Sequence, residues 1–211
     1  MLEFTFMDNL NSAQTEITSY QKAIRLFWRQ LYSTGGKTIY SQQMFGPVKP
    51  DWVNIEHVFP MAWVVNKFKC RDRRYCRKNI QEFNFIESDL HNLYPSRRDL
   101  NMYRASHRFG VVKGEVRAFG SYNFKLDSKR RIVEPAPASQ GEVARTMYHM
   151  ATSYNLKLFS KQAETLAYWN KVDQPSNEEK RRNDLIEEIQ GTRNIFIDDY
   201  KDIEKAKIQF L

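Results

Sequence analysis

The chain has few residues that break or cross-link a polypeptide. Its 211 residues include 8 glycines, 7 prolines and 2 cysteines, and no repeat or low-complexity tract divides them. This composition excludes a disordered chain or a string of linked modules. Two cysteines also cannot form a thiolate zinc site by themselves. The length suits a domain with a sizeable core, and we expect a single domain over residues 1–211.

Long apolar runs are missing as well. No stretch approaches the ~18 consecutive apolar residues that a membrane-spanning helix needs. Residues 1–6 have neither the basic nor the apolar region of a secretory leader, so this start does not read as a signal peptide. We therefore expect no membrane span, and either an intracellular protein or an exported one whose leader is absent from this sequence.

Acidic residues are outnumbered, since 33 lysines and arginines against 25 aspartates and glutamates give a net charge of +8. This excess favours a polyanionic partner. Seven of the twelve residues from 67 to 78 are Lys or Arg, and we predict that this run contacts phosphates. The residues assigned to nucleic-acid contact, in this run and in the next basic segment, are Lys67, Lys69, Arg71, Arg74, Arg77, Lys78, Arg97, Arg98 and Arg104.

Cys70 and Cys76 flank a part of the basic run. A disulfide between them would close a short loop and contribute about 2–3 kcal/mol in the chain-entropy model. It would also restrain basic side chains, which then lose less conformational entropy on contact with phosphates. Two unpaired thiols are an equally open alternative, and the compartment of the protein decides between the two states.

The segment 54–60 places Glu56 beside His57 inside an apolar, β-favouring run. A carboxylate there is costly unless a cation or hydrogen bonds compensate its charge, and histidine takes a proton near neutral pH. One interpretation is a metal ligand next to a general base. The other is a strand-end ion pair or a hydrogen-bonded core histidine, and the pair alone favours this second interpretation because short motifs often match by chance.

A second polar segment, 86–101, combines acidic, imidazole and amide side chains with regularly spaced apolar residues. Asp89 is predicted to cap a turn that begins at Leu90, and Pro95 is predicted to end that structure. A short helix over 96–104 then presents Asn101 from its middle. An asparagine inside a helix usually has a packing or ligand reason.

Apolar periodicity predicts an α+β fold that is mostly helical and contains a small antiparallel sheet. The predicted elements are helices over 9–33, 61–65, 139–154, 160–172 and 178–190, strands over 52–58 and between 111 and 134, and a charged helical tail to residue 211.

With both polar segments in view, the chain resembles the endonuclease I family, which contains non-specific, periplasmic or secreted bacterial nucleases of the ββα-metal (His-Me finger) class. The family pattern E-H-V-x-P, then D-[LM]-H-N-L-x-P and a later Asn, appears at residues 56–60, 89–95 and 101. The later A-R-T, W-N and I-Q-G-N-x-N-x-F signatures appear, the last with changes, at 144–146, 169–170 and 189–196. The match runs in one order from about residue 23 to residue 198.

The resemblance implies a ββα-metal catalytic core at about 52–110 and a helical C-terminal part at about 139–211. It implies one Mg²⁺ ion, with Mn²⁺ or Ca²⁺ able to take the same site, bound by Glu56 and Asn101. It also implies that His57 is the general base of the reaction.

The resemblance further places Arg73 near the scissile phosphate. Arg71 or Arg74 can fill this role instead, because the basic loop has a different length here. The residues that would orient these groups by hydrogen bonding, without contacting the metal or the phosphate themselves, are Glu87, Asp89 and His91.

Glu56 and His57 raise a geometric difficulty. Neighbouring residues on a regular strand point to opposite faces, so they cannot address one phosphate from an ideal strand. We therefore predict irregular backbone at this point, with His57 and the metal on opposite sides of the phosphorus.

The predicted function is that of a Mg²⁺-dependent, sequence-non-specific endonuclease that hydrolyses phosphodiester bonds of DNA, with RNA as a second substrate. We expect a monomer, and the resemblance implies a periplasmic or secreted location. The low cysteine count and changes such as Thr192 for the common Asn leave substrate preference and export open. The alternative is a nucleic-acid-binding protein with a nuclease fold and little or no turnover.

Overall fold

The structure, a computed structural model, describes residues 13–113, 117–119 and 122–211. It has the predicted α+β architecture, with helices packed around several small sheets. The α-helices are α1 (Tyr20–Leu26), α2 (Met61–Lys67), α3 (Arg73–Asn79), α4 (Gln81–Glu87), α5 (Arg98–Arg104), α6 (Pro137–Ser153), α7 (Ser160–Val172), α8 (Asn177–Gln190) and α9 (Ile195–Asp198). Single-turn and short 3-10 helices occupy Leu90–Asn92 and Tyr200–Lys205.

The strands are short and form four small sheets within the described ranges. They are β1 (Gly36–Lys37), β2 (Met44–Phe45), β3 (Val53–His57), β4 (Leu93–Arg97), β5 (Arg108–Phe109), β6 (Arg117–Ala118), β7 (Lys125–Asp127), β8 (Ile132–Glu134), β9 (Lys157–Leu158) and β10 (Gln209–Phe210). β6, β7 and β8 form the antiparallel strands predicted between 111 and 134, and β5 pairs with β8 in parallel.

β3 and β4 form an antiparallel pair, and α5 follows β4 directly, which gives a β-β-α unit. In this pair Glu56 lies opposite Tyr94, and His57 lies opposite Leu93. The Arg98 N–H donates to the Trp52 carbonyl at 2.8 Å where the strand becomes the helix. The unit therefore brings the two polar segments of the sequence onto neighbouring elements.

The prediction that Pro95 ends the structure that begins at Leu90 is wrong, because the 3-10 turn already ends at Asn92 and β4 continues through Pro95 opposite Ile55. A proline has no N–H for a ladder, but each strand of a two-stranded sheet has a free edge where that N–H is not needed. The Pro95 carbonyl accepts a hydrogen bond from the Ile39 N–H at 2.8 Å. The predicted cap is present, since Asp89 accepts from the His91 N–H at 2.8 Å.

The helix predicted over 9–33 is shorter in the structure. α1 begins after Ser19, and residues 13–19 are not helical, while residues 9–12 lie outside the described part of the chain. The buried Gln14 side chain bonds both to the N–H of Ile17 at 2.9 Å and to its carbonyl at 3.2 Å. Such local bonds compete with helical hydrogen bonds. A π-helical turn, Phe27–Leu31, continues α1.

α6 is the central helix, with 12 of its 17 residues buried. α7 packs along it, and α7 has the predicted bounds while α6 and α8 lie within two residues of theirs. Asp173, which directly follows α7, lies so close to α6 that position 141 requires glycine. A Cβ there would lie 1.9 Å from the Asp173 carbonyl oxygen. None of the helices among the described residues is both long and apolar enough to cross a membrane.

A buried ion pair joins α6 to the start of α8. Arg145 donates through two nitrogens to Glu179, each at 2.8 Å, and through Nη1 to the Asp173 carbonyl at 2.7 Å. The Arg145 residue is 0% exposed. Losing one partner of a buried pair leaves an uncompensated charge in the interior, which costs far more than the same loss at the surface.

We expect Arg145→Ala to lower the free energy of unfolding by about 3–5 kcal/mol, since Glu179 would lose its cation. The matched control is Arg181→Ala on α8, whose exposed pair with Glu178 should contribute less than about 1 kcal/mol. Urea unfolding monitored by circular dichroism measures both values. Equal losses in the two variants would contradict a special role for the buried pair.

Candidate active site

A cleft of about 570 Å³ opens beside the end of β3. Glu56 and His57 from β3, Arg73 from α3, and Asn101 and Arg104 from α5 line it. The structure therefore brings together the residues predicted for metal binding and catalysis, which lie in three separate parts of the sequence.

Glu56 is 4% exposed, and the contacts of its carboxylate fall on one oxygen. The Tyr40 hydroxyl donates to Oε1 at 2.7 Å, and the Arg104 guanidinium lies 3.6 Å from the same oxygen. Oε2 takes part in neither contact. Burial raises the pKa of Glu56 to about 7, although Arg104 and the Tyr40 hydrogen bond oppose this rise.

His57 is also buried, and its tautomer follows from its partner. Nε2 lies 2.9 Å from the carbonyl oxygen of Glu87. A carbonyl only accepts, so Nε2 carries the proton and Nδ1 holds the lone pair. Burial and then the nearby Arg73 guanidinium lower the pKa of His57 to about 3, so the ring is neutral at ordinary pH. The Tyr20 ring packs beside it with 5.1 Å between centroids.

Arg73 is held by the fully buried carboxylate of Glu87. Its Nε donates to Glu87 Oε1, and Arg77 donates to both oxygens of the same carboxylate at 2.6 and 2.9 Å. The Arg73 side chain is 39% exposed, and its Nη2 has no hydrogen-bond partner within the described residues. The guanidinium also lies over the Tyr20 ring, 5.3 Å from the centroid. Nη2 is itself buried, while the side chain as a whole is partly exposed and lines the cleft.

Asn101 is oriented by the strand that it faces. Its amide nitrogen donates to Asn54 Oδ1 at 3.0 Å and to the Ile55 carbonyl at 3.1 Å. Both N–H bonds therefore point at β3, and the amide oxygen is left for another partner.

The predicted irregular backbone at Glu56 and His57 is wrong. The antiparallel ladder with β4 runs without interruption to His57. The two side chains do have different partners, Tyr40 for one and the Glu87 carbonyl for the other. Both nevertheless line the cleft at the end of β3, together with Ile55 before them and Pro60 beyond the strand.

The predicted phosphate-contacting residues differ in their surroundings. Lys69, Arg74, Lys78 and Arg98 are exposed, and Arg71 is 78% exposed beside Asp72. Several others are engaged by protein groups: Lys67 by the Tyr154 carbonyl, Arg77 by Glu87 and Arg97 by Asp99.

Arg104 does not belong to that surface. It is 0% exposed, and it donates to the carbonyls of Val58 and Ala105 while it faces Glu56. We therefore correct its assignment from nucleic-acid contact to an internal partner of Glu56. A sequence cannot distinguish a buried arginine from an exposed one when both sit on a short polar helix.

Cys70 and Cys76 form a disulfide whose Cα atoms are 5.7 Å apart. It joins the loop before α3 to the first turn of that helix. Arg73 lies within the closed loop, and Asp72 caps the helix by accepting from the Tyr75 N–H at 2.7 Å. The disulfide therefore restrains the segment that presents Arg73.

Asp89 is the centre of a second buried polar group, behind the 3-10 turn. Oδ1 accepts from the His91 N–H at 2.8 Å and from Gln190 at 2.9 Å, while Oδ2 accepts from the Tyr154 hydroxyl at 2.7 Å and lies 3.4 Å from His149 Nε2. Burial alone would raise the pKa of Asp89, but the His149 contact and the other donors outweigh it and lower that pKa. His91 donates from Nε2 to the Thr192 carbonyl at 3.0 Å.

Two sets of residues can be compared as cation ligands. Asp89, His91 and His149 offer ligand atoms that lie within 4.8 Å of one another, but all three are buried and both Asp89 oxygens already accept hydrogen bonds. Glu56 and Asn101 border the cleft and each has an oxygen outside its hydrogen bonds. A carboxylate with an amide oxygen is a hard donor set that suits Mg²⁺, whereas imidazole nitrogen suits softer metals. The cleft set therefore fits a hard cation such as Mg²⁺ better.

Some residues of the site carry no signal in the sequence. Tyr40 reaches Glu56 from a loop, Tyr20 reaches His57 from α1, and His149 reaches Asp89 from α6. These contacts join positions far apart in the chain. The sequence does not show which of its tyrosines and histidines meet these residues in the fold.

Known proteins with similar sequences are nucleases. The Endonuclease I family profile matches residues 11–201. Endonuclease-1 of Buchnera aphidicola subsp. Acyrthosiphon pisum is 32% identical over 188 residues, which cover 85% of this chain and 73% of that protein. The chain therefore belongs to the endonuclease I family, and its enzyme class is that of an endonuclease.

Other relatives bear related names. An extracellular deoxyribonuclease of Aeromonas hydrophila is 32% identical over 147 residues, covering 68% of this chain and 64% of that protein. An extracellular ribonuclease of Bacillus amyloliquefaciens is 33% identical over 130 residues, covering 53% and 43%. The chain thus spans less than two thirds of the length of these two relatives.

We expect the double substitution Cys70→Ser with Cys76→Ser to lower the free energy of unfolding by about 2–3 kcal/mol, because the unfolded chain regains the freedom of the closed loop. Guanidinium unfolding measures the loss. Wild-type protein reduced with dithiothreitol is the matched control and should reach the same value. An oxidised wild type no more stable than the variant would show that the loop is held by its other contacts.

Proposed function

We propose that this protein is a divalent-metal-dependent, sequence-non-specific endonuclease that hydrolyses phosphodiester bonds of DNA, and of RNA as a second substrate. The observation that carries the proposal is the cleft in which Glu56, His57, Arg73 and Asn101 meet. The deoxyribonuclease and ribonuclease names of the relatives support a nucleic-acid substrate.

His57 is the proposed general base. Its Nε2–H donates to the Glu87 carbonyl, so Nδ1 is the atom whose lone pair would take a proton from the attacking water. A neutral ring is required for this step, and burial keeps it neutral. A bound phosphate would bring negative charge beside the ring, which favours the protonated form that arises during attack.

Glu56 and Asn101 are the proposed holders of Mg²⁺, with Mn²⁺ or Ca²⁺ able to take the same place. When bound, such a cation stabilises the negative charge that develops on the phosphate and on the leaving oxygen. The chain prepares both ligands: Tyr40 and Arg104 fix the Glu56 carboxylate, and β3 fixes the Asn101 amide.

Arg73 would bind the non-bridging oxygens of the scissile phosphate through the exposed part of its guanidinium, while Glu87 holds Nε. Glu87 thereby has two tasks, because its side chain positions the arginine and its carbonyl positions His57. The arginine is held in place before the substrate arrives, so little conformational entropy is lost on binding.

Lack of sequence specificity follows from the exposed basic residues. Lys69, Arg71, Arg74, Lys78 and Arg98 present charge to the backbone of a nucleic acid, and phosphate contacts carry no base information. The first four lie within or next to the loop that the disulfide closes, and Arg98 lies at the start of α5. We propose that this surface leads the substrate to the cleft.

We further propose a periplasmic or secreted monomer that folds as one domain. The disulfide supports an oxidising compartment. The extracellular and periplasmic deoxyribonucleases of Aeromonas hydrophila among the relatives support the same location.

We expect His57→Ala to lower the rate of plasmid cleavage by at least about a hundredfold, because the attacking water loses its base. Calorimetric Mn²⁺ binding should stay unchanged, since His57 holds no metal in this proposal. Lys180→Ala on the exposed face of α8 is the control and should cleave at the wild-type rate. If wild-type protein binds DNA tightly but leaves plasmid intact with Mg²⁺ or Mn²⁺, the protein is instead a binding protein with a nuclease fold.

Metal affinity should depend on pH through Glu56. Its pKa is raised to about 7, so below that pH the carboxyl is protonated and a cation must displace a proton to bind. We expect the Mn²⁺ dissociation constant to rise by up to about tenfold for each pH unit below about 7 and to level off above it. Isothermal titration calorimetry in two buffers of different ionisation heat measures both the affinity and the released proton.

Glu56→Gln is the matched variant for this titration. It should bind Mn²⁺ weakly and without that pH dependence, since an amide does not titrate. Wild-type affinity in this variant would overturn the assignment of Glu56 as a metal ligand. The group of Asp89, His91 and His149 would then be the candidate metal site.

A further inference from the structure

A second cavity, of about 890 Å³, lies beside the cleft. Ala62, Asn66 and Ser106 line both spaces, so the two are adjacent. We call this cavity the side groove. The residues that define it are Trp63 and Lys67 of α2, Arg108 of β5, Arg131 in the turn between β7 and β8, Lys157 of β9, and Phe159.

The charge of the side groove is positive and largely unneutralised. No aspartate or glutamate side chain lines it. Among the described residues, Arg108, Arg131 and Lys157 form no ion pair with a carboxylate. By contrast, Arg193, which lies just before α9, is paired with three carboxylates. Two other cations of the groove have a carboxylate nearby: Lys67 lies 3.6 Å from Glu82, and Arg130 lies 3.7 Å from Asp127. Cations that converge on a cavity with few counter-ions are suited to a polyanion.

Aromatic rings lie among these cations. Trp63 packs edge-on against Phe59 and Phe159, with 5.4 Å between centroids in each case. The Arg108 guanidinium lies over the Phe159 ring, 4.9 Å from its centroid. Trp63 and Phe159 both remain partly exposed. Alternating cations and aromatic rings characterise sites for single-stranded nucleic acid, where phosphates meet the charges and bases stack on the rings.

We propose that the side groove binds a single-stranded segment of the same polynucleotide whose phosphodiester bond reacts in the cleft. Arg108, Arg131 and Lys157 contact its phosphates, and Trp63 with Phe159 contact its unstacked bases. This inference rests on the proposed function, because it assigns the strand that continues beyond the scissile phosphate.

The shape of the cavity favours a single strand over a duplex. A concave space of this volume encloses a ligand of roughly one or two nucleotides. The bases of a duplex are stacked on each other and would not reach rings that line such a space. The enzyme should therefore hold substrates best where the strand next to the cleavage point is unpaired.

The test measures binding without turnover, in EDTA. The probes are a fluorescein-labelled oligothymidylate of about twelve nucleotides and the duplex that it forms with oligoadenylate. Fluorescence anisotropy over a range of salt concentrations gives the dissociation constant and its salt dependence for each probe.

We expect Arg108→Ala with Arg131→Ala to raise the dissociation constant for the single strand by roughly tenfold. The slope of the logarithm of the association constant against the logarithm of salt concentration should become less steep by about 1.4, since two phosphates lose their contacts. Trp63→Ala should raise the same constant by roughly tenfold through lost stacking. The duplex constant should change less than about twofold in each case.

Two controls test whether the position of the charge and the aromatic ring cause the losses. Lys171→Ala with Lys180→Ala removes the same charge from exposed positions outside the groove and should leave both constants within about twofold of wild type. Trp63→Phe keeps an aromatic ring and should restore most of the affinity that Trp63→Ala loses. Thermal melting shows that each variant is folded.

Equal losses for single strand and duplex would overturn the single-strand assignment, and unchanged binding in the groove variants would overturn the groove itself. Displacement of the oligonucleotide by polyglutamate at the same charge concentration would do so too, because it would indicate a site for acidic protein. The proposed nuclease activity fails separately: plasmid left intact with Mg²⁺, together with the expected binding losses, would reject the nuclease and keep the groove.

Discussion

The buried carboxylate of Glu87 organises the cleft through both its side chain and its main chain. An ionised carboxylate in the protein interior needs cations and donors, and Arg73 and Arg77 of α3 supply them. The carbonyl of the same residue accepts the Nε2 proton of His57. The position of the proposed phosphate-binding arginine and the tautomer of the proposed base therefore depend on one residue at the end of α4.

A second group of buried polar residues supports the strand on which the cleft is built. Asp89 ties the 3-10 turn to α6 and α8, and Arg182 donates to the carbonyls of Leu90 and Leu93, each at 2.7 Å. Asn92 bonds the backbone of Phe59 in both directions, at 2.6 and 3.1 Å. Satisfied polar networks of this kind define one backbone conformation rather than many. The β4 strand begins directly after this turn, so its register with β3 is defined as well.

The distribution of positive charge separates structural arginines from those available to a ligand. Arg104, Arg145 and Arg182 are buried and bond carboxylates, carbonyls and hydroxyls inside the protein. The cations of the side groove and the exposed residues around the disulfide lack such partners or have few. Part of the positive charge thus serves the interior of the protein, and another part lines the side groove.

Much of the architecture and of the site was determined by local sequence. Apolar periodicity predicted α6, α7 and α8 closely, because a helix that buries one face repeats that face along the chain. The residues predicted for metal binding and catalysis meet in one cleft, since their chemical types and spacing are set by the motif. Basic composition predicted an anionic partner, and the two cysteines offered a disulfide that the structure contains.

The tertiary structure decided what depends on contacts between distant segments. Gln14 shortened the first helix, Pro95 was accommodated at a free strand edge, and a regular β3 presented both Glu56 and His57 to the cleft at its end. Arg104 became an internal partner of Glu56, and Tyr40 reached the same carboxylate from a loop. Burial, hydrogen-bond partners and protonation are properties of the surroundings of a residue, and these surroundings exist only once the chain has folded.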